Sequence, residues 1–272
     1  MDVKLEIGDG LPRWWLSPEI WTVPNEEPTS TPGLPIVGQP CYIWARVRNN
    51  GKDGVENAYV RFYWANPAVG IDRKTANYIG TSNVSLKSGE ARDVLCLTPW
   101  NPTFVNNGHV CVVAEASHPY LDPITYLPQF NVPTDRHVAQ RNLTIIKLGK
   151  INNFFTMNFE ICNALRLSQK YNISCRLGNL EEISALRPYL DPNIPIYGEG
   201  KIVQAGFVSK SCPDEDESKE AESDIKLEIS PGSRAGLSVV GVLKGDIALL
   251  HVVQSTEKEE IGGLSILVYR GN

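Results

Sequence analysis

The stretch "CYIWARVRN" (41–49) alternates strictly, with Cys41, Ile43, Ala45 and Val47 on one side and Tyr42, Trp44, Arg46 and Arg48 on the other. Successive side chains of an extended strand point to opposite faces, so this pattern predicts a strand with one buried face. The stretch "YVRFYWA" (59–65) repeats it, with Val60, Phe62 and Trp64 on one side. Between them "NNGKDGVEN" (49–57) carries Asn-Gly and Asp-Gly, pairs that tolerate the positive φ of a tight turn. Further strands are predicted over 78–86, 91–98, 109–116 and 137–148, with "LKSGEAR" (86–92) as another turn. Short strands at this spacing, without a long helical period, predict an antiparallel sandwich.

The second half reads as strands over 152–165, 171–178, 201–210, 224–230, 236–243, 246–254 and 262–270. The stretch "GLSVVGVLKGDIALLHVVQ" (236–254) reads as a hairpin. One segment, "LEEISALRPYL" (180–190), has helix-like spacing and is expected to lie across a sheet edge. All six tryptophans (Trp14, Trp15, Trp21, Trp44, Trp64, Trp100) fall in the first 100 residues of 272. That shift in composition argues for two separate cores, joined near "KLGKINN" (147–153).

Several segments of the first half resemble bacterial immunoglobulin-like modules of the cell-adhesion-related (CARDB-like) kind. They are "LSPEIWTVP" (16–24), "YIWARVRNNG" (42–51), "VRFYWANP" (60–67), "TPWNP" (98–102), "GHVCVVAEA" (108–116) and "HVAQRNL" (137–143), in that order. The resemblance implies an immunoglobulin-like sandwich and brings no catalytic residues with it. Such modules sit in large surface and secreted bacterial proteins, and a sandwich of this kind is a scaffold for many roles. The second half matches only loosely, and its own strand pattern makes it a second sandwich. The expected fold is therefore all-β: two tandem immunoglobulin-like antiparallel β-sandwiches, over 1–148 and 149–272.

Charge is uneven. The net charge is −5, yet "CPDEDESKEAESD" (212–224) alone holds seven acids and one base, so the remainder is close to neutral. No basic surplus points to nucleic acid. The tract's composition predicts a solvated, mobile loop. Its "DEDE" (214–217) lacks the spacing of a calcium loop, and weak calcium binding is the alternative reading there. The N-terminal "MDVKLEIGDGLPRWW" (1–15) has no basic stretch followed by an apolar one, and no run reaches the length of a membrane span. The chain is expected to stay in the cytosol unless a dedicated export machine carries it. The sequons at Asn83, Asn142 and Asn172 are then chance.

The cysteines (Cys41, Cys96, Cys111, Cys162, Cys175, Cys212) form no CxxC pair, and five lie in apolar runs where a thiol acts as a small hydrophobe. A disulfide within one sandwich is the alternative. None of His109, His118, His137 or His251 stands at zinc spacing from a cysteine. No nucleophile elbow, zinc-protease, phosphate-loop or dinucleotide-binding motif occurs. Asp135 and His137, two apart on a strand, are expected to form a structural pair rather than a catalytic dyad. Glu19 and Asp122 are the carboxylates that a glycosidase would need. No cofactor and no metal site are expected.

Aromatic residues carry the functional reading. Pro99 and Pro102 hold Trp100 at the end of a strand, where its ring either plugs the core or offers a stacking platform. The plug is the favoured reading. Trp14 and Trp15 are adjacent, so in an extended chain they face opposite ways and both cannot enter one core. At least one is expected to be exposed or to dock on another surface. Trp44 and Tyr42 lie on the outer face of their strand, and Tyr63 is expected on a covered outer face. The expected partner surface is Trp14, Trp15, Trp44, Tyr42 and Trp100, for another protein or a second copy. The alternative is a carbohydrate on Tyr42, Trp44 and Trp100.

Overall fold

The computed structural model describes residues 1–10, 13–66, 71–103, 111–126, 129–163, 165–190, 192, 194, 198–209 and 222–271. The chain divides into two compact units. The first comprises Met1–Ala65, Asp72–Asn142 and Pro188–Asp191, and the second Asn66–Ile71, Leu143–Arg187 and Pro192–Asn272.

In the first unit one sheet holds β1 (Leu5–Glu6), β2 (Ile20–Pro24), β3 (Cys41–Asn49) and β6 (Ala91–Leu95), with β3 central. The other runs β5 (Asn77–Leu86), β4 (Val55–Ala65), β7 (Cys111–Ser117), β8 (Val138–Arg141). All the pairings are antiparallel. The alternation of β3 is realised: Cys41, Ile43, Ala45 and Val47 are buried, and they meet Val60, Phe62, Val112 and Ala114 of the facing sheet in one core. Burying these apolar faces at about 25 cal/mol per Å² is what holds the two sheets together.

The second unit is built the same way. A three-stranded sheet runs β10 (Phe154–Cys162), β14 (Arg234–Gly245), β12 (Gly200–Ser209). It faces a five-stranded one of β13 (Asp224–Ile229), β11 (Gln169–Leu177), β15 (Ile247–Ser255), β16 (Glu260–Arg270) and β9 (Leu143–Leu148). Phe155, Met157, Phe159 and Val239 of the first sheet pack with Ile173, Leu250, Val252 and Ile266 of the second. The protein is thus all-β, with one core in each sandwich.

Four local expectations change. The single strand expected over 137–148 is two. It breaks at Asn142, whose N–H goes to the Trp15 carbonyl (2.8 Å), and Leu143–Leu148 pairs with β16 in the second unit. That pair is parallel, in a fold otherwise antiparallel. The segment 236–254 is not a hairpin: β14 and β15 belong to opposite sheets, and Gly245, at φ +97, turns the chain between them. The helix α1 (Leu180–Leu186) does not lie across an edge, because Glu182 reaches His251 on the central strand β15, on the face away from the core. Asn179 and Glu182 start α1 with a reciprocal capping box.

Cys41, Cys96, Cys111 and Cys175 are free thiols, and Cys162 is buried at the end of β10. Cys212, His109 and positions 212–221 of the acidic tract lie outside the described residues. Among the described residues no helix is long and apolar enough to cross a membrane.

Candidate functional site

Trp100 is core. It is 5% exposed and stacks on Trp64 (centroids 6.1 Å apart, planes 21°). Its backbone exchanges two 2.8 Å hydrogen bonds with Cys41, which ties the Pro99–Pro102 segment to the start of β3. It offers no platform.

Trp14 and Trp15 are buried as well, at 6% and 0% exposure. The expectation that one ring must face outward fails because the chain is not extended there. The Leu16 N–H bonds the Arg13 carbonyl at 2.7 Å, closing a turn, and the two indoles meet edge to face at 5.5 Å. A turn swings successive side chains towards one another where a strand would oppose them.

Trp44 and Tyr42 do lie on the outer face of β3, half-buried. Trp44 stacks flat on Trp21 of the paired strand (6.0 Å, 2°) and donates its indole N–H to the Pro28 carbonyl at 2.9 Å. Segment 25–30 therefore covers part of this face. Tyr63 also lies on a covered outer face, packed on Phe130 (5.2 Å).

Among the exposed apolar side chains of the first unit are four aliphatic ones. Leu34, Ile36 and Val37 are 36%, 48% and 44% exposed, and Leu97 is 73% exposed. The loop bearing the first three is pinned. Gly33 N–H bonds Thr22 O (2.9 Å), Gly38 N–H bonds Pro102 O (3.0 Å), and Asn25 N–H bonds Pro40 O (2.9 Å). Leu97 follows Cys96, whose N–H bonds Ile43 O at 2.8 Å. Both segments thus attach to the Cys41 end of β3 and present aliphatic groups to water from a fixed backbone. Sequence reasoning missed them. The available signal was "TPGLPIVGQP" (31–40), where three prolines and two glycines leave Leu34, Ile36 and Val37 no strand face to bury on.

The carboxylates weighed for catalysis are engaged in structure. Glu19 accepts the Gly8 N–H at 2.7 Å and pairs with Arg48. Asp122 accepts the Leu5 N–H at 2.6 Å and pairs with Arg136. His137 sits between Asp135 (Nδ1 to Oδ1, 2.7 Å) and Asp122 (Nε2 to Oδ2, 3.1 Å), as a structural tie between strand β8 and the 118–122 turn. Burial disfavours its charge, but the Asp135 hydrogen bond and the Asp122 charge outweigh burial and raise its pKa above the ordinary 6.5. A second cluster lies on the outer face of β4 and β7. Glu115, fully buried, meets Arg73 (2.6 Å), Arg61 (3.4 Å) and the Tyr63 hydroxyl (3.2 Å), and Arg73 lies over Phe130 at 4.1 Å.

No family model and no curated protein matches the chain. Solved structures with a similar outline include the CARDB domain of a Pyrococcus furiosus protein, in complex with di-metal ions. It is 16% identical, with 52% of this chain and 90% of that one covered and a TM-score of 0.31. Red sea bream transglutaminase is 8% identical over 93% of this chain and 31% of its own, with a TM-score of 0.24. A Streptomyces venezuelae β-glucosidase, solved with D-glucose, is 19% identical over 38% of this chain and 14% of its own, with a TM-score of 0.22. At such identities and TM-scores the likenesses carry no argument about fold or activity.

Proposed function

We propose that this protein is a non-catalytic module that works through protein–protein contact, and that its contact surface is the Cys41 end of the first sandwich. The observation that carries the reading is the set of Leu34, Ile36, Val37 and Leu97, exposed on segments whose backbones are hydrogen-bonded to the sheet. Apolar groups held outward from hydrogen-bonded segments gain on covering, at about 25 cal/mol per Å². A pinned loop also has little conformational entropy left to lose on binding. Trp44 and Tyr42 are half-buried on the outer face of β3. The carbohydrate reading has less support. Of its three platform residues Trp100 is in the core, and Trp44 already stacks on Trp21 with its N–H committed. The hydrolase reading is weakened by carboxylates that serve backbone amides and arginines.

The test is capture of binding proteins from the native source by the full chain and by Ile36→Ser/Val37→Ser. The variant should keep its melting temperature and lose the proteins that the wild type retains. The same proteins retained equally by both would refute the surface.

A further inference from the structure

Sheet edges invite pairing with other chains, and most edges in this protein carry a guard. The β12 edge is taken, because Phe207 N–H bonds Glu222 O at 2.8 Å. β13 carries Asp224, Lys226 and Glu228, β9 carries Lys147, and β6 carries Arg92 and Asp93. β5 has no charge, but its ladder to β4 shifts register twice, and Ser82 spends its hydroxyl on Leu95 O (2.5 Å). β8 is covered by Leu16 and Ser17.

β10 differs. All nine of its residues pair with β14 in unbroken register, and β14 is its one sheet neighbour. Among the described residues, one backbone group of 154–161 bonds outside that pair, the Phe154 N–H, which goes to Asn152 Oδ1 at 2.9 Å. In an antiparallel ladder alternate residues turn their N–H and C=O away from the partner, so from Thr156 onward β10 presents a regular row of open groups. It has no lysine and no proline, and its one charge, Glu160, is held by Arg234 at 2.9 Å. Beside the edge, on the face away from the core, Phe154 is 50% exposed, and Val240 and Val242 are half-buried.

The strand is also complementary to itself. Set antiparallel to a second copy about Asn158, it places Phe155 opposite Ile161 and Met157 opposite Phe159 on the core side. On the outer side it places Thr156 opposite Glu160, Phe154 opposite Cys162, and Asn158 opposite its own counterpart. Apolar meets apolar and no like charges face each other, the conditions for a stable cross-strand set.

We propose that two copies of this chain join through their β10 edges, continuing the three-stranded sheet into one of six strands across a two-fold axis. The seam lies in the second unit and uses none of the residues of the partner surface above, so either reading can fail alone.

The experiment is sedimentation of the full chain over a dilution series. The wild type should approach twice 30.1 kDa as concentration rises. Thr156→Glu, which would face Glu160 of the second copy, and Asn158→Lys, which would face its own counterpart, each made separately on the outer side of the strand, should sediment as monomers with unchanged melting temperature. Ser85→Lys on β5 and the Ile36→Ser/Val37→Ser pair should remain dimeric. A wild type that is monomeric at every concentration overturns the proposal. So does a dimer that survives both like-charge substitutions, or one that dissolves in the β5 or loop variants instead.

Discussion

His137 is held between two carboxylates at 7% side-chain exposure, and its charge does work only while it is protonated. Its folded pKa lies above the ordinary 6.5, so its contribution to stability is complete below that value and is lost as pH rises through the folded pKa. Asp135 moves the other way. Burial raises its pKa, but the hydrogen bonds from His137 and the charge of His137 outweigh burial and lower it, so its share is lost only as pH falls into the acid range. The stability gap between wild type and His137→Gln should therefore be larger at about pH 5.5 than at about pH 8.5, read by chemical denaturation. A gap that does not change with pH would contradict the tie. Trp100→Ala should cost roughly 3–5 kcal/mol in the same assay, as a large ring leaves a closed core. Trp100 was legible in part: the prolines on both sides pointed to a core plug, but its place in the expected partner surface is overturned by its burial. Trp14 and Trp15 were not, because the turn at Arg13–Leu16 that unites their rings is set by packing and carries no Asn-Gly or Pro-Gly signal.

The outer face of β4 and β7 shows what an element can hide. Sequence alternation sends Arg61 and Tyr63 outward from β4, yet the face they line is covered, and Glu115 beside them is fully buried. Glu115→Ala would leave Arg61 and Arg73 without their carboxylate in a dry setting, at a cost of roughly 3–5 kcal/mol. Glu115→Ala combined with Arg73→Met should recover part of that loss, and additive losses would show that the two groups do not interact. Most strand positions were legible from period-two alternation, because one buried face enforces it. What alternation could not show is which sheet a strand joins. The run 137–148 is extended throughout, and only the partners, β7 before Asn142 and β16 after it, divide it between two sandwiches. In the same way β14 and β15 look like a hairpin in sequence and face each other across a core in the structure.

At the scale of the whole molecule the account is of two sandwiches with separate cores, each large enough to melt in its own right. Val239→Ala in the second core should lower one calorimetric transition by the loss of buried methyl groups, a few kcal/mol, and leave the one that Trp100→Ala lowers unchanged. Both mutations lowering a single shared transition would contradict independent cores. The tryptophan count argues for two cores, and the two buried clusters draw on residues 3–139 and 148–268. The proposed contact surface was not legible. It consists of aliphatic groups in a Pro/Gly-rich loop, and exposure there follows from hydrogen bonds to Thr22 and Pro102, which are distant in sequence. The most direct measurement of the central claim is photo-crosslinking from a reactive residue placed at Ile36 or Leu97, against a control at Lys87 beyond the other end of β3. The account predicts the same partner protein trapped from Ile36 and Leu97 and absent from Lys87. A partner trapped from Lys87 and from neither of the other two would contradict it.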